Sequence, residues 1–136
     1  MKTPNGHITL IALALIPIPI WILLAPDESN DHIFLQQWLS LVLLYPIVEE
    51  LLFRGLIQPL IKKRVIGRWA GVSYANVVTS IFFAASHLFT REPIWAAAMF
   101  FPSLAFGYCK DRYKTVKISI ALHCYYNASY FLATGA

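Results

Sequence analysis

Apolar residues along this chain gather into long runs separated by short polar segments. The first run covers residues 8–25 and is interrupted by Pro17 and Pro19, which predict a kink. The second covers 34–61 and is expected to kink near Pro46. Three more cover 69–89, 93–109 and 116–134, the last being the least apolar. Each approaches the ~20 residues that a helix needs to cross a bilayer. The pattern predicts an all-α polytopic transmembrane bundle of about five spans in a single membrane domain, residues 1–136. Within it, 1–33 form an N-terminal anchor helix and external loop, and 34–136 the core bundle. Lys2 resembles the start of a signal peptide. The first run ends Leu-Leu-Ala-Pro-Asp without a small-x-small cleavage site, so it reads as a retained anchor.

Composition agrees with this reading. With 58% hydrophobic and 13% charged residues, the chain is too apolar for a soluble domain of its length. Its net charge of +4 does not form a nucleic-acid patch, because the basic residues sit in short loops. With the N-terminus inside, Lys2, Lys62, Lys63, Arg64, Arg68, Lys110, Arg112, Lys114 and Lys117 are all internal, and only Arg91 falls outside. The acidic first loop, with Asp27, Glu28 and Asp31, faces out. By the positive-inside rule the N-terminus is in and the C-terminus out. Cys109 and Cys124 lie in no metal-ligand or CxxC spacing and read as packing thiols.

The second run contains a contradiction that needs a purpose. Sixteen of its 28 residues are Leu, Ile, Val or Phe, yet it also holds Glu49, Glu50 and Arg54. An acid or base at mid-membrane costs roughly 2.5–3.5 kcal/mol on insertion scales, against about 0.3–0.6 returned per apolar residue. Such groups are tolerated only facing protein or a wet cavity, and are functional candidates. Glu50 and Arg54 are i, i+4 neighbours able to pair. Glu49 points about 100° away and is left without a partner. An unpaired, desolvated carboxylate suits a general base.

Two other runs carry polar seams at helical spacing. Ser73, Asn76, Ser80, Phe83 and His87 form one; Ser119, His123, Tyr126, Asn127 and Tyr130 form the other. His123 and Asn127 project into the same space. Three helices thus each place an acid, a histidine or a His–Asn pair inside the membrane. Such a set can hydrolyse a peptide: Glu49 and one histidine deprotonate water, while Asn127 and the other histidine stabilise the oxyanion. Zinc ligation by the same Glu and His residues is the alternative chemistry, but the HExxH spacing is absent and no cofactor is expected. A proton carrier and a non-catalytic binding or immunity protein are the other classes. Five helices without an inverted repeat argue against a carrier. The run 93–109 lacks ionisable groups, and its Ser103–Gly107 pair suits close packing.

These residues resemble a known family. Glu49-Glu50-Leu51-Leu52-Phe53-Arg54-Gly55 is similar to the EExxxR signature of the CAAX prenyl protease and bacteriocin-processing (CPBP, or Abi) family. Phe83 to His87 matches its FxxxH motif, and His123 to Asn127 its HxxxN motif. The resemblance implies a glutamic intramembrane protease in which Glu49 and His87 activate water and His123 with Asn127 form the oxyanion site. Glu50 and Arg54 support the acid helix, with Glu50 a possible second acid. It further implies a protein or peptide substrate with a hydrophobic C-terminal tail or leader, cleaved in a bacterial or archaeal cell membrane.

One test of these boundaries concerns depth. Counted from the inner ends of the three runs, His87 lies far above Glu49 and His123 far below it. The heights agree if the third helix begins near Tyr74, leaving 65–73 as an interfacial connector, and the fifth begins near Asp111.

Overall fold

The computed structural model describes residues 6–17, 20 and 35–134. Lys2, the acidic loop and most of the second half of the first run lie outside the described residues. Among the described residues the α-helices are, in chain order, α1 (Gly6–Leu15), α2 (Leu35–Leu39), α3 (Tyr45–Glu50), α4 (Gln58–Lys62), α5 (Tyr74–Ser86), α6 (Pro93–Ala98), α7 (Phe100–Tyr113) and α8 (Val116–Thr134). The fold is all-α apart, among the described residues, from one hairpin, β1 (Arg68–Trp69) and β2 (Val72–Ser73). Two compact units divide the chain: Met1–Tyr45 with Cys124–Ala136, and Pro46–His123. In the first, Tyr126 donates to the Leu13 carbonyl at 2.7 Å and Asn127 to that of Leu41 at 2.8 Å.

The second apolar run is helical throughout 35–62, but two stretches of it, Ser40–Leu44 and Leu51–Ile57, are π-helical. Each is followed within two residues by a proline, Pro46 or Pro59. A proline ring collides with the carbonyl four residues back in a regular α-helix. A wider i→i+5 turn moves that carbonyl aside, so the kink foreseen at Pro46 takes the form of a widened turn.

This widening also straightens a polar row. In a regular helix a four-residue repeat drifts about 40° per step. A turn of more than four residues drifts the other way, keeping Glu50, Arg54, Gln58 and Lys62 in line. Within the unit Pro46–His123 the row meets α7 in constant register. Arg54 Nη2 donates to the Ser103 hydroxyl at 2.6 Å and to its carbonyl at 2.7 Å. Gln58 Nε2 donates to the Gly107 carbonyl at 3.2 Å, and Lys62 Nζ to Asp111 at 2.9 Å. Both partners advance together along the chain, so the two helices run parallel. Gly107 is required here: a Cβ on it would lie 1.8 Å from Asn76 Oδ1. Asn76 in turn donates to the Leu104 carbonyl at 2.9 Å.

The boundary of the third helix agrees with the depth argument. α5 starts at Tyr74, with Ser73 as its N-cap accepting from the Asn76 amide at 3.1 Å. Residues 65–73, the foreseen connector, contain the hairpin, whose two-residue turn puts Ala70 and Gly71 at φ of 49° and 87°. Positive φ at both positions is the tight-turn geometry that matches strand twist. Ile66 and Trp69 are exposed on it.

The boundary of the fifth helix is corrected. Asp111 belongs to α7, which runs on to Tyr113 and stops at Lys114 in the left-handed conformation, and α8 begins at Val116. The run 93–109 is also divided, α6 ending at Ala98 and α7 resuming at Phe100. Asp111 stays on α7 because Lys62 and Ser73 both donate to its carboxylate. Heights are reconciled differently: α8 begins beside Gly55, where an added Cβ would lie 4.0 Å from Val116 Cγ2. Seven residues up α8 then bring His123 level with the acids.

Polarity is inverted relative to a soluble core. Glu50, Arg54, Gln58, Asn76, Thr79, Ser80, Ser103 and Ser119 are buried, whereas Leu51, Leu52, Leu56, Leu60, Ile81, Phe82 and Phe101 are exposed. Among the described residues, no helix is long and apolar enough to cross a membrane. The π-helical turns subdivide the second run, and the division at Met99 shortens the fourth.

Two outcomes follow from this packing. Gly107→Ala is expected to lower stability by about 1–3 kcal/mol, the usual cost of overpacking. Thermal unfolding in detergent measures it, and the loss shrinks in an Asn76→Ala background, where the obstructing carboxamide is gone. Burial pushes the Asp111 carboxyl up, but the hydrogen bonds from Ser73 and Lys62 and the charges of Lys62 and Lys114 outweigh it, holding it below its ordinary 3.8. Its stabilising contribution is therefore complete above that value and disappears as pH falls through the lower folded-state value. Unfolding midpoints between neutral pH and pH 2 should show an acid limb that Asp111→Asn flattens.

Candidate active site

Glu49 and Glu50 close α3, and both reach a single imidazole. Glu50 Oε1 lies 3.1 Å from His123 Nδ1, and Glu49 Oε2 lies 3.7 Å from His123 Nε2. The expectation that Glu49 lacks a partner is thereby corrected. Helix phase separates the two acids on their own helix, but an imidazole has two nitrogens on opposite edges and accepts one acid at each. An ionised carboxylate only accepts, so Nδ1 carries the hydrogen toward Glu50. At 3.7 Å the contact of Glu49 with Nε2 is longer than a hydrogen bond, so that edge of the ring is not closed by Glu49.

The two acids differ in exposure. Glu50 is fully buried and Glu49 is 33% exposed. Glu50 also pairs with Arg54, as foreseen, at 3.5 Å between Oε2 and Nε. Glu50 thus joins the support, while Glu49 keeps an open side.

Aromatic rings hold the imidazoles. Phe106 stacks on His123 with centroids 4.4 Å apart and planes 18° apart. Phe83 meets His87 at 4.7 Å, His123 at 5.8 Å and Phe53 at 5.1 Å. The Arg54 guanidinium lies 5.2 Å from the Phe83 centroid, a cation–π contact. Ser119 fixes the first turns of α8 by donating to the Phe106 carbonyl at 2.8 Å.

His87 caps the end of α5. Its Nδ1 is 2.9 Å from the Phe83 carbonyl. A carbonyl can only accept, so Nδ1 carries a proton and the ring is oriented with Nε2 away from the helix backbone. His87 also lies within electrostatic reach of Glu49. The unit Pro46–His123 therefore brings together Glu49, Glu50, Arg54, His87 and His123. Asn127 belongs to the other unit, on the Leu41 carbonyl. Among the described residues, no three His, Cys, Asp or Glu side chains are arranged to hold a metal ion.

Gln58, Phe106 and Ser103 were not picked out as parts of the site. Gln58 was legible as the next four-residue step after Glu50 and Arg54. The stacking of Phe106 had no local signal, because it depends on how α7 meets α8.

The three motifs behind this cluster carry a family relationship. The chain belongs to the type II CAAX prenyl endopeptidase Rce1-like family, whose sequence model matches residues 31–129. No curated protein and no solved structure gives a significant match. The family consists of membrane proteins, which agrees with the inverted polarity of the fold.

The charge balance around Glu50 is directly measurable. Arg54→Met leaves a buried carboxylate uncompensated and should cost about 3–5 kcal/mol. The double variant Glu50→Gln/Arg54→Met removes both charges and should unfold at a higher temperature than Arg54→Met alone.

Proposed function

We propose that this protein is an intramembrane endopeptidase that hydrolyses a peptide bond near the C-terminus or leader of a membrane-associated substrate. The observation that carries the reading is the convergence of two adjacent carboxylates on His123 beside a second histidine whose ring is held by the Phe83 carbonyl. Glu49, the more open acid, takes the proton of a water aligned with His87. The hydroxyl oxygen attacks the scissile carbonyl carbon, and the negative charge moves to the carbonyl oxygen. His123, oriented by Glu50, donates to that oxyanion, and the family resemblance assigns the second donor to Asn127. Collapse of the intermediate breaks the C–N bond, and the proton held by Glu49 passes to the leaving amine. Arg54 pairs with Glu50 and holds it in place.

A membrane setting with about five spans, N-terminus inside, is part of the proposal. Exposed leucines and phenylalanines around a polar interior support it. So does the parallel register of the second and fourth apolar runs, which that topology requires. The proposed substrates have a hydrophobic C-terminal tail or leader lying in a bacterial or archaeal cell membrane.

Purified protein in bilayers should cleave such a peptide. Glu49→Ala, His87→Ala and His123→Ala should each abolish cleavage while circular dichroism and unfolding temperature report an intact fold. Excess chelator is expected to leave the rate unchanged. Full activity in Glu49→Ala would overturn the mechanism, and loss of activity in chelator would turn it toward zinc.

A further inference from the structure

The row that supports Glu50 has unmet demands of its own. Glu50 Oε2, Arg54 Nε, Arg54 Nη1 and Gln58 Oε1 have no hydrogen-bond partner among the described residues. Glu50 and Arg54 are closed off entirely and Gln58 almost so, at 1% exposure. A buried polar atom left unpaired costs about 1–3 kcal/mol. Four of them on successive turns would consume most of the ~5–15 kcal/mol by which a protein is stable. Their chemistry is complementary: the two nitrogens donate, and an acceptor lies one turn away on each side. Direct closure is prevented, since Glu50 Oε2 and Arg54 Nε stop at 3.5 Å. Arg54 Nη2 and Gln58 Nε2 are already committed to Ser103 and Gly107. Buried water typically meets two to four such partners.

We propose that the Glu50–Arg54–Gln58 row binds ordered water and forms the path by which water reaches the carboxylate–histidine cluster from the Lys62–Asp111 end. Lys62 is 44% exposed and Asp111 10%, so the row begins where solvent is available and ends at His123. The path rests on the endopeptidase reading, because each peptide bond cleaved consumes one water. The exterior beside the row is apolar, with Leu51, Leu52, Leu56 and Leu60 exposed, so the polar atoms a water could follow on this side lie along the row itself. Arg54 then has two uses, as counter-charge to Glu50 and as donor to the water passing it.

Water-edited NMR on the full chain in bilayers, with arginine and glutamine labelled with nitrogen-15, tests the binding without reference to activity. Transfer from water to the Arg54 guanidinium and the Gln58 carboxamide is the expected result. Absence of transfer at both groups overturns the proposal, whatever the enzyme does. Gln58→Met, which replaces the carboxamide with an apolar chain of similar length, should weaken transfer to Arg54 and slow cleavage several-fold. If transfer at Arg54 is lost and cleavage keeps its full rate, the row is not the supply path and the proposal falls. Wild-type protein that shows the transfer but cleaves nothing supports the bound water and refutes the endopeptidase reading instead. Should Gln58→Met fail to fold, the wild-type measurement still decides whether the row holds water.

Discussion

A fully buried guanidinium imposes the arrangement of the unit around it. Arg54 has no exposure, and every surrounding element answers to it: Glu50 with charge, Ser103 with a hydroxyl and a carbonyl, Phe83 with a ring face. Taking such a charge out of water costs several kcal/mol, and only well-placed partners recover it. Those partners lie on three different helical segments. Their positions are therefore coupled, and the register between the second run and α7 follows from the need to reach Ser103. Gln58 and Lys62 continue that register one and two turns further.

The same constraint shapes the candidate site. With Glu50 held by Arg54, its other oxygen is aimed at His123 Nδ1, and the imidazole is further fixed by stacking on Phe106. Glu49 is then presented to the opposite edge of the ring. One acid is buried and committed while its neighbour remains partly open, so two chemically identical side chains have different surroundings. His87 enters from another helix end, its ring held by the backbone carbonyl of Phe83. Phe83, touching both histidines and Arg54, makes the site and its support a single packed object.

At the other end of the row, α4, α5 and α7 are tied through one carboxylate. Asp111 accepts from Lys62 and from Ser73, and the Ser73 oxygen also caps α5. This knot lies beside the hairpin that exposes Ile66 and Trp69, amid the basic residues Lys63, Arg64 and Arg68. The distance from Lys62 to Glu49, thirteen residues, equals that from Tyr74 to His87. Helices joined by a short hairpin and measured from a common end thus deliver an acid and a histidine to similar heights.

Much of this arrangement is legible in the sequence. Long apolar runs imply helices, and ionisable residues inside them imply compensation, because the cost of an uncompensated charge is independent of fold. Glu50 with Arg54 followed from i, i+4 spacing, and the start of α5 from the need for equal depth. The buried seam of Ser73, Asn76, Ser80 and Phe83 followed from helical periodicity. Local pattern could not supply the partner of Glu49, the stacking of Phe106 or the carboxamide of Gln58. Nor could it locate the end of α7, which depends on Asp111 finding Lys62 and Ser73. Sequence by itself determined which residues must be sheltered and which helix faces carry them. Only the tertiary structure decided who shelters whom, since side chains 49 or 73 positions apart meet through packing rather than through any repeat along the chain.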